Sequence, residues 1–404
     1  MTVTMSSEVR YRPGGGDAWR SPWVMYAALR DHDPVHHVVP ETRPQHDFYV
    51  LSRHADVLAA ATDTETFSSA QGLSLEYGEL EKLGLADNPP MVMQDPPDHT
   101  SFRRLVSRGF TPRQVVAVEP AVRAFVGERL DQLVARGEGD IVTELFKPLP
   151  SMVVAHYLGV PEQDREQFDG WTDAIVAAGS AGRAADAPAA VAGMLGYFAE
   201  LIERRRAEPG DDTVSELVAA GVGDDDRGLI SILAYVFTMV TGGNDTTTGM
   251  LGGAVQLLHQ HPDQRALLAE RPELLKEAVE ELLRLTSPVQ GLARTVTRDV
   301  ELHGTTIPAG RKTLLLYAAA NRDPRRYGPD AEELDVRRGP GQVLTFGRGS
   351  HFCLGASAAR MQARVALEEL LARCPDFEVD LDAVVYADGP HVRRPTSVPF
   401  RVGR

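Results

Sequence analysis

The sequence predicts a mainly α protein with small β-sheets, an α+β fold in one domain, and three observations carry that prediction. Long stretches repeat apolar residues at helical spacing, above all 112–136, 229–258 and 356–371. Alternating strand patterns are short and confined to the region near the N-terminus, 292–318 and 377–402. No linker-like shift in composition interrupts the 404 residues, so 1–404 reads as one unit despite its length.

Composition narrows the class. Hydrophobic residues make up 43% and charged residues 25%, which suits a soluble globular chain with an ample core. A formal charge of −15 repels nucleic acid and anionic membranes, although a local basic patch remains compatible with it. Two cysteines, without C-x-x-C or C-x-x-C-H, argue against a disulfide framework, a zinc site and covalently attached haem. The start, MTVTMSSEVRYRPGGGD, lacks a basic segment followed by an apolar run, so neither a secretory signal nor a membrane anchor is predicted and the location reads as cytoplasmic.

After that polar start, 22–30 reads as a short helix, 34–39 and 48–51 as brief strands, and 53–61 as helix again. Residues 66–94 mix apolar and turn residues over a length too great for a simple connection, which predicts part of a binding-pocket wall. Pro97 can open a helix, and His99 and Arg103 then fall at i and i+4 on one face, two cationic donors suited to an acidic group. Thr111 and Pro112 form a cap and first-turn pair for a helix to about Arg136. A buried helix follows at 149–160. The Ala/Gly-rich break at 177–190, before a helix at 191–206, suits either a mobile lid or a plain solvated loop.

Residues 229–258 predict about 45 Å of helix at 1.5 Å per residue. Its only charge is Asp245, and a helix apolar on every side belongs in a large core. The uncharged part is shorter than a span of about 20 residues and holds Thr and Gly, which disfavours a membrane. Gly242 and Gly243 remove side chains and weaken the helix, leaving space beside it and freeing a carbonyl from the ladder. Thr246 can donate a hydrogen bond and Asp245 can pass protons, whereas in a purely structural reading the Thr bonds back to the helix and the Asp is paired. Glu281 and Arg284, at i and i+3, can form an ion pair on one helix face. From 292 to 318 the pattern turns to strands with Gly/Pro turns. Short strand candidates close the chain at 377–402.

The chain's organising segment is FGRGSHFCLG, residues 346–355. Gly347, Gly349 and Gly355 permit φ > 0 and close approach, so the loop can wrap a sulfur and aim amides at it. The helical pattern from Ala356 places Cys353 near a helix N-terminus, where partial positive charge favours a thiolate able to ligate iron. Cys374, before Pro375 and outside any glycine loop, reads as structural.

The string F-G-x-G-x-H-x-C-x-G resembles the signature of the cytochrome P450 haem-thiolate monooxygenases. GGNDT at 242–246, EELLR around Glu281 and Arg284, H-x-x-x-R at His99 and Arg103, and Arg294 occur in family order, so the resemblance covers essentially the whole chain. It is similar to soluble bacterial class I members, especially the mycobacterial family numbered 130. The resemblance implies the P450 fold and non-covalent haem b ligated by Cys353, with Phe346, Gly347 and Gly355 around the sulfur. His99, Arg103, Arg294 and His351 would hold the haem carboxylates. It implies that Thr246 and Asp245 deliver protons, and that Val240, Gly243, Val289, Leu292 and Val392 line the substrate pocket. Glu281 and Arg284 would support the cysteine loop, with Arg337 as third member.

The activity so implied inserts one atom of O2 into a C–H bond of an apolar small molecule, by hydroxylation or dealkylation. No flavin or iron–sulfur segment is visible, so electrons would come from a ferredoxin and its reductase. Arg103, Arg104, Arg108, Arg113, Arg348, Arg360 and Arg364 offer a basic docking patch, with Arg103 also assigned inward. The rival readings are a peroxide-driven peroxygenase and a haem-based ligand-binding or sensor protein without turnover.

Overall fold

Trp23–His32 (α1) opens the regular structure of a computed structural model that describes residues 9–180, 187–222, 224 and 226–403. Short helices follow at His54–Thr62 (α2), Glu79–Leu83 (α3) and Asp98–Val106 (α4), the last directly behind Pro97. Pro112–Arg136 (α5) begins on a full capping box in which Thr111 and Gln114 satisfy each other's backbone amides, and it stops at Gly137 with φ 81°. Its Val115, Val118, Val122, Val126, Leu130 and Leu133 recur every three or four residues and are all buried.

Pro148–Tyr157 (α6), Arg165–Ser180 (α7), Pro188–Ala207 (α8) and Thr213–Ala219 (α9) come next. The middle of the predicted break, 181–186, lies outside the described residues. Asp226–Gln260 (α10) is the long central helix, flanked in the chain by Pro262–Glu270 (α11) and Leu275–Thr286 (α12). Two single turns, Tyr317–Ala320 (α13) and Pro324–Tyr327 (α14), precede the cysteine loop, and Ala356–Arg373 (α15) follows it.

The strands gather into small sheets. Val35–Val38 (β1), Phe48–Leu51 (β2), Phe67–Ser68 (β3), Leu292–Val296 and Lys312–Leu315 form a five-stranded sheet in which Phe48–Leu51 runs parallel to Lys312–Leu315. Two strands of the predicted 292–318 region therefore share one sheet with the N-terminal strands, whereas Val300–Leu302 and Thr305–Ile307 form a separate two-stranded sheet. Glu138–Asp140 pairs with Pro399–Arg401, which pairs in turn with Glu378–Val379.

Two features fix the site's frame. α5 lies along α15, and their polar edges are tied by Arg123 to Glu368 and Glu369, Arg364 to Glu119, and Arg373 to Asp131. α12 carries Glu281 and Arg284, both with fully buried side chains, joined by two hydrogen bonds of 2.7 Å. Arg284 also donates to the carbonyls of Asn321, Ala331 and Glu333, so the pair anchors the segment ahead of the cysteine loop. The third member is Arg338, whose Nε lies 3.0 Å from Glu281 Oε1. Arg337, the residue expected from the sequence, points outward to Asp335 with its side chain 64% exposed. The turn at Val336–Arg338 decides between adjacent arginines, and spacing alone cannot.

Candidate active site

A cavity of about 480 Å³ lies between α10, α4, α6, the cysteine loop and the strand Leu292–Val296. Its lining brings together Cys353, His99, Arg103, Arg294, His351, Phe346, Gly347, Gly355, Thr246, Gly243, Val289, Leu292 and Val392. The 66–94 segment contributes Leu73, Met91, Val92 and Met93, as a pocket wall should.

Cys353 lies deep in the protein, yet its side chain is exposed to this cavity. The loop is held by Cys353 N–H donating to the Phe346 carbonyl at 2.9 Å. Gly347 and Gly349 adopt φ 66° and 67°, and a side chain at Gly349 would meet the Ala61 carbonyl at 3.1 Å. Gly355 departs from expectation: at φ −82° it is the N-cap of α15, and its role is to aim an amide at the sulfur. Burial pushes the thiol pKa up, while the Gly355 amide, Arg103 and Arg360 act the other way and favour the thiolate. Arg360 stacks over Phe346 at 4.5 Å.

Above the loop is a concentration of basic groups. The His99 ring stands 4.1 Å from that of His351, and His99 Nδ1 is buried without a hydrogen-bond partner. Arg103 donates to the Phe352 carbonyl, Arg294 to that of Ala293 at 2.9 Å, and His351 Nε2 lies 3.2 Å from Ser69 Oγ. Burial, then Arg294, His99 and Arg103, push the His351 pKa down to about 3. Asp95, the carboxylate nearest His99, is occupied by the Ser69 amide at 2.8 Å. A buried orphan ring nitrogen beside two guanidiniums is a donor set for carboxylates, and the two carboxylates of haem b fit it.

On α10 the two glycines separate in function. A Cβ at Gly242 would meet nothing within 4 Å, whereas one at Gly243 would lie 2.8 Å from Val154 Cγ2. Gly242 thus leaves the open space, and Gly243 allows α6 to pack close. The helix continues through both, and the Gly242 carbonyl is held by Thr246 Oγ1 at 2.7 Å, the back-bonded arrangement. Val240 is a correction: it is fully buried in the core and does not line the cavity, and Met239 does so instead. One helical position rotates a side chain by 100°, so an error of one residue changes the face. Asp245 also stays off the cavity wall, paired with Arg394 at 2.8 Å.

Val289 and Val392, which both line the cavity, meet in an isolated antiparallel bridge. Sequence reasoning missed Val153, Val154 and Tyr157 of α6, as well as Phe110, Tyr235 and His391. Their patterns read as ordinary core, and the hydroxyls of Tyr157 and Tyr235, both buried without a hydrogen-bond partner, are what mark them as pocket. The basic patch is also thinner than predicted. Arg104 and Arg113 are exposed, but Arg360 pairs with Glu280 and Arg364 with Glu119 and Glu368. Arg348 lines the cavity, and the Arg108 side chain lies outside the described residues.

Among the described residues no helix is long and apolar enough to cross a membrane. A family model described as Cytochrome P450 matches residues 185–385. The chain is 68% identical to Cytochrome P450 130 of Mycobacterium tuberculosis, with 100% of both chains covered. It is 37% identical to the Vitamin D(3) 25-hydroxylase of Pseudonocardia autotrophica, over 100% of this chain and 99% of that one. The fold is similar to that of CYP109E1 from Bacillus megaterium in complex with testosterone, with a TM-score of 0.81 and 30% identity over 95% of this chain and 100% of that one. Identity of this level from end to end agrees with a cavity that offers one sulfur below and carboxylate donors above: the chain belongs to the cytochrome P450 family of monooxygenases, which hold haem b through a cysteine thiolate.

Proposed function

We propose that this P450 oxidises a C–H bond of a bulky apolar molecule, with Cys353 as the iron ligand and a ferredoxin with its reductase as electron source. The observation that carries the reading is that the Cys353 sulfur, the basic cluster and the Gly242 opening all face one cavity. His99, Arg103, Arg294 and His351 bind the haem carboxylates, and haem b so held supplies the redox chemistry that activates O2.

The remaining steps belong to the chain. Thr246 holds a hydroxyl proton at the cavity wall beside Gly242. Asp245, held off the cavity wall by its ion pair with Arg394, relays protons inward from water. The apolar wall of Met91, Met93, Val289, Leu292 and Val392 excludes water and positions the substrate. Two relatives lend support to a sterol-sized substrate: one is named a vitamin D(3) hydroxylase and another was solved with testosterone. An acidic donor protein docks on Arg104, next in α4 to the Arg103 that touches the cysteine loop, and on Arg113 in the first turn of α5. The enzyme acts in the cytoplasm.

The test is an absorbance titration of the ferric holoprotein with steroids, secosteroids, fatty acids and aromatic amines, followed by turnover with ferredoxin and reductase. A high-spin shift with the sterol class and a hydroxylated product is the expected result. A shift confined to another class rejects the sterol assignment. Absence of haem uptake by the wild type, or its full retention with normal thiolate bands in Cys353→Ala, rejects the ligand assignment.

A further inference from the structure

A second cavity, of about 190 Å³, lies along α10 towards its C-terminal end, 11 to 18 residues beyond Gly242 on the same helix face, between that end, α1 and the 381–393 segment. Its lining includes Arg20, Arg322 and Arg393 together with Gln256, Gln260 and Tyr386. Among the described residues its lining holds no carboxylate side chain, although Arg20 and Arg322 reach Asp17 and Glu332 outside it.

The arginines are unusual in how they are held. Arg393 is 91% buried, being only 9% exposed, and its Nε and a terminal nitrogen donate to the Trp19 carbonyl and the Tyr386 hydroxyl, which are both neutral acceptors. Arg322 is 5% exposed; it reaches Glu332 and the Leu285 carbonyl, but its Nε is buried without a partner. Both guanidiniums stand over the Trp23 ring, at 3.7 Å for Arg322 and 5.2 Å for Arg393, so two like charges share one indole. A buried guanidinium with only neutral partners is costly to maintain. Charge-assisted binding of an oxyanion offsets that cost, and Arg matches oxyanion geometry in two-pronged fashion. The volume is more than ten times the roughly 10–15 Å³ that one water requires.

We propose that this cavity is a second ligand site, which binds a small oxyanion, phosphate or a short carboxylate, on Arg393, with the Arg322 guanidinium adding its positive charge at the same wall. Gln256 and Tyr386 stand at the same wall: the Tyr386 hydroxyl donates to Gln256 Oε1 at 2.8 Å, which leaves the hydroxyl oxygen accepting from Arg393. The exposed Gln260 and the partly exposed Arg20 form the mouth. The site is separate from the haem cavity, although the two share the 392–393 turn, since Val392 lines one and Arg393 the other.

The test is calorimetric titration of the haem-loaded wild type with inorganic phosphate and, separately, with propionate, each at ionic strength held constant with chloride. Saturable heat at one site per chain is expected, from phosphate alone if the site takes the inorganic ion and from propionate also if it takes carboxylates. Arg393→Gln should weaken that binding at least tenfold. Gln256→Glu puts a carboxylate inside the cavity while keeping an acceptor for Tyr386, and should both abolish the heat and raise the melting temperature in chloride. Absence of saturable heat from either probe in the wild type overturns the proposal. So does undiminished binding in haem-loaded Gln256→Glu.

Discussion

Replacing Glu281 by Gln removes one charge from the centre of the protein and changes its shape hardly at all. Glu281 accepts from Arg284 through both nitrogens at 2.7 Å, from Arg338 Nε at 3.0 Å and from the Asp335 amide at 3.3 Å. The substitution leaves Arg284, with no side-chain exposure, and Arg338, at 12%, facing a neutral amide that must present NH2 to one of them. Breaking one side of a buried pair costs about 3–5 kcal/mol. At about 2 cal/mol/K of unfolding entropy per residue, 404 residues lose roughly 0.8 kcal/mol per degree, so the melting temperature should fall by about 4–6 °C. Because Arg284 holds the Asn321 carbonyl, and Asn321 in turn holds the Leu344 amide at 2.7 Å and the Thr345 hydroxyl at 2.9 Å, haem occupancy should fall as well. Calorimetry and the haem-to-protein ratio measure the two effects, with Arg337→Ala as an exposed control expected to stay within about 0.5 kcal/mol of wild type. A Glu281→Gln protein that melts within 1 °C of wild type at full haem content would refute the account of Arg284 as an anchor that depends on its counter-charge.

The glycine pair makes a second contrast. Gly243→Ala should cost about 1–3 kcal/mol by overpacking against Val154, whereas Gly242→Ala should keep wild-type stability and alter substrate affinity, and denaturation with spectral titration separates the two. Asp245→Asn should lower kcat by about 100-fold while the spectral dissociation constant of the substrate holds, so an unchanged kcat removes Asp245 from proton delivery. The staple between α5 and α15 should show in acid. The Arg364 hydrogen bond draws the Glu119 carboxyl below its ordinary range, so its contribution is complete above about pH 4.5 and is lost as the pH falls through the lowered value. Glu119→Gln should therefore be about 1 kcal/mol less stable at pH 7, with the difference shrinking as the pH falls below the ordinary carboxyl range, and a difference that stays constant over that range would exclude this linkage.

Periodicity sufficed for the helices because burial repeats every few residues: the α5 prediction of a Thr111 cap and an end near Arg136 coincides with Pro112–Arg136. It sufficed for the site's location because glycine turns and a cysteine are rare together, and the cysteine loop, His99, Arg103 and Arg294 do meet. What it could not supply was azimuth. Val240 and Met239 are both apolar, and Arg337 and Arg338 have the same side chain, so in each case a rotation of about one residue selects the functional partner without leaving a trace in composition. The α6 wall was hidden for a related reason, since Val153 and Val154 pack on a cavity with the same chemistry they would use to pack on a core.

The same limit explains why Arg393 gave no signal. Nothing in the sequence distinguishes Arg393 from Arg394, yet the fold sends Arg394 to Asp245 and Arg393 to a cavity whose lining, among the described residues, has no acid. Charge in a sequence is assigned by default to water, and only the fold shows where an arginine has been denied it. Buried cations without acids are therefore where structure adds most to this sequence. Around His99, Arg103 and Arg294 that lack is matched by the carboxylates of the family's cofactor, and by the same reasoning the second cavity should have an anion of its own.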